Sequence, residues 1–214
     1  MRQRLPRWAR PNFLLDSEDR VNTQYEQVAF RSNNLRAHAS ELTKRCGAAP
    51  WIFDLVDAVH LFVAEPRLGD SFQVELAFNY TLLPNTELEL IQLRLGQTIQ
   101  LPLTVDAGYA EPTLMGPQIL SHLGYHLPDI EGVEEQEAQM LADMQSWIRN
   151  GYRVVQLSQT MVHSGTKRRY RYAFVDTRPI VGTYTKVIQR LSFPSNDISL
   201  TRGREAFKWL SDQL

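Results

Sequence analysis

The sequence predicts an α+β protein in which two βαβββ modules form one curved, mostly antiparallel sheet around a shared cleft. Three observations predict it. Segments that alternate with period two, such as Glu87-Leu88-Glu89-Leu90-Ile91-Gln92-Leu93, stand beside two of helical period, Leu35 to Arg45 and Val133 to Asn150. The order strand, helix, three strands occurs twice. Superposing the halves lays Gln27 on His122 and Glu89-Leu90-Ile91-Gln92 on Lys186-Val187-Ile188-Gln189. The spans agree, 62 residues (89 − 27) against 64 (186 − 122), a drift that one loop insertion produces. A lone unit of this kind leaves sheet edges and a sheet face open, so the two are expected to close on one another.

Composition bounds the function. The 214 residues carry 23 Lys+Arg against 24 Asp+Glu, with 43% hydrophobic and 22% charged residues, which excludes disorder and gives no reason to expect nucleic acid or an anionic membrane as partner. No run approaches the roughly 18 apolar residues of a membrane span, and Met1 to Arg10 holds four arginines without the apolar core of a secretory signal, so a cytoplasmic protein is expected. The single Cys46 allows neither an internal disulfide nor a multi-thiolate metal site, and any metal would rest on nitrogen and oxygen ligands.

Along the chain, residues 1–25 read as an extension, because Arg, Asn, Asp and Pro interrupt any hydrophobic period. The first module spans 26–101. Gln27 to Arg31 is its opening strand and Leu35 to Arg45 its helix, stopped by Gly47; strands follow around His60 to Val63, Phe72 to Phe78 and Glu87 to Leu93. A linker rich in Gly and Pro occupies 102–117. The second module, 118–193, opens with His122 to Leu127, turns at Pro128-Asp129, and continues as a helix from Val133 whose Met140, Leu141, Met144, Trp147 and Ile148 share one face. Strands follow at Tyr152 to Leu157, Arg169 to Val175 and Tyr184 to Leu191. In the run Lys167-Arg168-Arg169-Tyr170-Arg171, alternation sends the arginines to the face opposite the tyrosines, where a solvated outer surface is expected. Residues 194–214 read as a C-terminal helix, whose amphipathic stretch over Arg202 to Leu214 docks on the core or on a second subunit.

Two segments of the second half carry a resemblance. Ser121-His122-Leu123-Gly124-Tyr125-His126-Leu127-Pro128-Asp129-Ile130 resembles the opening strand and turn of the vicinal oxygen chelate (VOC) superfamily, which includes glyoxalase I, methylmalonyl-CoA epimerase, extradiol dioxygenases and bleomycin-resistance proteins. Tyr172-Ala173-Phe174-Val175-Asp176-Thr177-Arg178-Pro179 with Gly182 resembles its closing hairpin. The likeness covers about Tyr25 to Phe193 and is fainter in the first half. It implies metal ligands from the first and last strands of each module, which places Gln27, Glu89 and His122 as candidate ligands for Zn, Ni, Mn or Fe and puts Lys186 at the fourth position. A protonated amine cannot ligate a cation. Either a divalent metal rests on three donors, with Glu89 and Lys186 as the catalytic pair of a lyase, isomerase or epimerase, or Lys186 pairs with Glu89 and no metal is bound.

Alternation from those positions turns Arg31, His126, Glu87, Tyr184 and Ile188 inward as well. Arg31, His126 and Tyr184 are the expected substrate contacts, with Arg31 and Arg178 as anchors for an anion. The sequence thus points to a VOC-like protein whose cleft binds a small oxygenated, anionic metabolite. The alternative is a metal-free binding or sequestering protein of the bleomycin-resistance type. A homodimer is compatible with either.

Overall fold

A computed structural model describes residues 25–65, 68–96, 98, 120–161 and 169–213. The expected extension, all but its last residue, and the linker at 102–117 lie outside them. Eight strands form one mixed sheet that closes into a barrel: β1 (Gln27–Arg31), β2 (Ile52–Val63), β3 (Ser71–Leu83), β4 (Thr86–Gly96), β5 (Leu120–His126), β6 (Val154–Thr160), β7 (Tyr170–Val175) and β8 (Tyr184–Arg190). Around the barrel they run β1-β4-β3-β2-β6-β7-β8-β5. β1 is parallel to β4 and β5 to β8, whereas β1 meets β5, and β2 meets β6, antiparallel. Register shifts in β1, β2 and β6 add the local twist that closure requires.

Helices cover the outside. α1 (Leu35–Cys46) starts where the Asn34 side chain accepts from the Ala37 N–H at 3.2 Å, and stops at Gly47, whose φ of +71° suits a residue without a Cβ. Its Leu35 and Ala39 pack on Ala77 and Leu90. α2 (Val133–Arg149) has Glu134 and Glu135 in its first turn, where the helix dipole favours negative charge. Its Met140, Met144 and Trp147 are fully buried against Tyr125, Leu157 and Val187, each contributing about 1.5–3 kcal/mol of hydrophobic stabilisation. None of the helices among the described residues is long and apolar enough to cross a membrane.

Four local expectations need correction. β2 begins at Ile52, not near His60, because Asp54 and Asp57 interrupt its apolar run without breaking the ladder to β3. β6 extends to Thr160 although its end is polar, since Gln159 donates to Ser195 and Ser199 at 2.9 Å and is thereby satisfied while buried. The last helix, α4, runs Asp197–Ala206 after a short α3 (Arg178–Val181), and a 3-10 helix follows over Lys208–Gln213. Asn196 and Ser199 form a capping box that starts α4 five residues earlier than the Arg202 start expected from the apolar pattern. Finally, Arg171 is not solvated. It does point away from Tyr170 and Tyr172, but α4 and the chain after it cover that face, and its guanidinium lies over Phe207 and Phe193 with 0% exposure. Burial pulls it down to about 10, still charged at neutral pH.

Candidate functional site

Strand pairing brings four distant residues together. Gln27 lies opposite Glu87 on β4 and Gly124 on β5; Gly124 lies opposite Lys186 on β8; Ala29, two residues beyond Gln27, lies between Glu89 and His122. Since alternate side chains share a face, Gln27, Glu89, His122 and Lys186 all turn into the barrel. His122 Nε2 is 2.9 Å from Gln27 Oε1 and 3.3 Å from Glu89 Oε2, and Lys186 Nζ is 3.5 Å from the same Glu89 oxygen. The Gln27 amide nitrogen donates to Glu87, which fixes the carboxamide so that its oxygen faces His122. His122 therefore donates from Nε2, while Nδ1 faces Ser121 Oγ at 3.2 Å.

Electrostatics divide the four into one ion pair and two neutral groups. Burial acts to raise the Glu89 carboxyl, which is 1% exposed, but the Lys186 ammonium and the His122 ring together outweigh it and hold the group below the ordinary carboxylate value. Burial and the same ammonium push His122 down to about 4, so it is a neutral imidazole at physiological pH. Glu89 Oε2 receives no hydrogen bond of good geometry although it is fully enclosed. Lys186 also lies over the Tyr172 ring, 5.1 Å from its centroid.

Gly124 is a positioning residue that the sequence offered only as part of a motif. A Cβ there would stand 2.9 Å from Gln27 Oε1 and 3.3 Å from Ile188 Cδ1. Its absence leaves the room in which the carboxamide reaches His122. In Gly124→Ala the carboxamide, being the far end of a flexible side chain, swings away, and the expected cost is about 1–2 kcal/mol for the lost buried hydrogen bond. Urea denaturation measures it, and unchanged stability would show that Gln27 needs no such space.

Gln27, Glu89 and Lys186 line a cleft that opens to solvent, and His122 stands against Gln27 and Glu89 without lining it. Gln27, Glu87, Glu89, His126, Thr160 and Lys186 supply its polar lining. Val56, Val74, Leu76, Phe78, Ile91 and Ile188 supply apolar wall, and Tyr170 and Tyr172 present aromatic surface. Period-two alternation over Phe72 to Phe78 was the available signal for Val74, Leu76 and Phe78. His126 sits at the mouth, its Nδ1 3.2 Å from Glu26. Arg31 and Tyr184, expected as ligand contacts, do not line the cleft. Arg31 is four residues beyond Gln27 along β1, about 13 Å at strand rise, opposite Ile91 of β4. Tyr184, opposite His122 across the β5–β8 pair, is buried beneath Arg178, 4.6 Å from ring centroid to guanidinium, and Arg178 itself is paired with Asp176 at 2.7 Å.

The separations of 2.9 and 3.3 Å among the Gln27, Glu89 and His122 donors would suit ligands of one small cation with bonds of about 2.0–2.2 Å. Lys186 does not suit it. Its ammonium already stands on the one carboxylate of the four, and a divalent ion would meet that charge inside a water-poor barrel. Among the described residues, no three His, Cys, Asp or Glu side chains converge on a point. The donor set therefore does not fit a resident divalent metal.

No protein-family model and no curated protein matches the chain. Similar solved structures include a hypothetical protein, BH1468, from Bacillus halodurans C-125, at 13% identity and TM-score 0.38, covering 82% of this chain and 100% of that one. A methylmalonyl-CoA epimerase from Mycobacterium tuberculosis is similar at 11% identity and TM-score 0.40, covering 81% and 89%. A mutant 4-hydroxymandelate synthase from Streptomyces coelicolor is similar at 10% and 0.42, covering 90% of this chain but 55% of the synthase. At these identities and TM-scores no substrate, cofactor or activity passes from those proteins to this chain.

Proposed function

We propose that the chain is a duplicated βαβββ protein of the VOC kind, with modules at 26–101 and 118–193 and a covering segment at 194–214, whose cleft binds a small molecule without a metal. One observation carries this reading. Lys186 puts an ammonium 3.5 Å from Glu89, at the position where the family resemblance implies a fourth metal-facing side chain. The cleft's own cation thus neutralises its most deeply buried anion. The remaining wall is largely apolar and aromatic with a few convergent polar groups, which is the make-up of a small-molecule site. Binding or sequestration needs no more than this.

Metal analysis of protein purified without chelator tests the metal-free half. Substoichiometric metal, and no change in melting temperature on adding Zn, Ni, Mn or Fe(II), is the expected result. Stoichiometric metal that disappears in His122→Ala overturns it in favour of a second reading, a metal-dependent lyase, isomerase or epimerase, which the close spacing of the three donors favours. A small-molecule screen read by NMR shifts of the Val56, Val74, Leu76, Ile91 and Ile188 methyl groups tests the binding half; a library that moves none of them overturns it.

A further inference from the structure

We infer, resting on the reading of the cleft as a small-molecule site, that its ligand carries a cationic nitrogen with N–H donors, an ammonium or amidinium, on an apolar or aromatic body. An anion, which the sequence led one to expect, does not fit. Among the described residues the lining holds two carboxylates, Glu87 and Glu89, against one ammonium, Lys186. His126 is already opposite Glu26 at the mouth. Lys186 is committed to Glu89, so an anionic ligand that drew it away would leave a carboxylate with 1% exposure without its counter-charge.

One carboxylate without a counter-charge points the other way. Glu87 receives a hydrogen bond from the Gln27 amide, and among the described residues no cation lies within ion-pair distance of it. Glu89 Oε2, enclosed in the same cleft, already has Lys186 Nζ at 3.5 Å and His122 Nε2 at 3.3 Å. A donor-bearing cation entering beside Glu87 would pair with that carboxylate in a charge-assisted contact. The ring faces of Tyr170 and Tyr172 and the walls from Val56, Val74 and Leu76 would take the body of such a molecule.

Three probes of matched size decide it: phenethylamine, phenethyl alcohol and phenylacetate, titrated into the full chain at neutral pH and followed by methyl NMR at Val74 and Ile188. The amine is expected to bind about tenfold more tightly than the alcohol, and the carboxylate weakest. Glu87→Gln is expected to bring amine and alcohol to similar affinity. Alcohol or carboxylate binding as tightly as the amine overturns the inference while leaving the cleft a binding site. A cleft that takes none of the three overturns the binding reading itself.

Discussion

Lys186→Met is expected to destabilise the protein by about 3–5 kcal/mol at neutral pH, because it strands the buried Glu89 carboxylate without a counter-charge. The loss comes from the partner left behind and not from the side chain removed. Methionine fills most of the volume beside Tyr172, so packing alone costs little. Adding Glu89→Gln to Lys186→Met removes the stranded charge, and the double variant should recover most of the loss. The single variant should also become less unstable as pH falls, since a protonated Glu89 needs no cation. Urea denaturation of wild type, both single variants and the double variant provides the comparison. A Lys186→Met cost below about 1 kcal/mol would mean that water or another cation already serves Glu89, and the metal-free account of the cleft would lose its foundation.

Asp143→Asn is expected to stabilise the protein by about 2–4 kcal/mol at pH 8 and by almost nothing near pH 4. Asp143, on α2, is buried between helix and barrel, where Tyr125 donates to Oδ2 at 2.7 Å and Trp147 Nε1 donates in turn to the Tyr125 oxygen at 2.9 Å. Burial is the largest influence and pushes the carboxyl up to about 7, against the lowering effect of those donors. In the unfolded chain the group releases its proton near pH 4. Between about 4 and about 7 the folded protein holds a proton that the unfolded chain has lost, so stability falls as pH rises through that window and stays low above it. Asparagine keeps an acceptor for Tyr125 and carries no charge at any pH. Melting or urea curves across pH 4–8 read the difference directly. A gain that is flat with pH would assign the effect to packing, and no gain at pH 8 would show the carboxylate to be adequately solvated.

Much of the candidate site was legible before any coordinates, for a local reason. Period-two alternation states which side chains share a face, and superposing the two halves selects Gln27, Glu89, His122 and Lys186 from four strands. Those four meet within hydrogen-bond or ion-pair reach. Alternation alone says nothing about depth along a barrel. Arg31 and Tyr184 stand opposite Ile91 and His122 yet do not line the cleft, because depth depends on the stagger between neighbouring strands, and that is settled only when β1 and β8 close the sheet through β5.

What the sequence determined by itself was the order of the strands and the two long helices, the faces that strand side chains share, and the charge types gathered in the cleft, since each follows from local period and residue chemistry. Only the tertiary structure decided which charges stay buried and with whom. Arg171 looked solvated by every local criterion until α4, begun early by its Asn196 cap, laid Phe207 beside it. Glu89 could have been an edge residue, and only closure of the barrel enclosed it with Lys186. Asp143 lies on a helix face whose burial depends on Tyr125 arriving from β5. Burial is a property of what other segments do, and free energies of charge depend on it far more steeply than the energies of helix or strand formation.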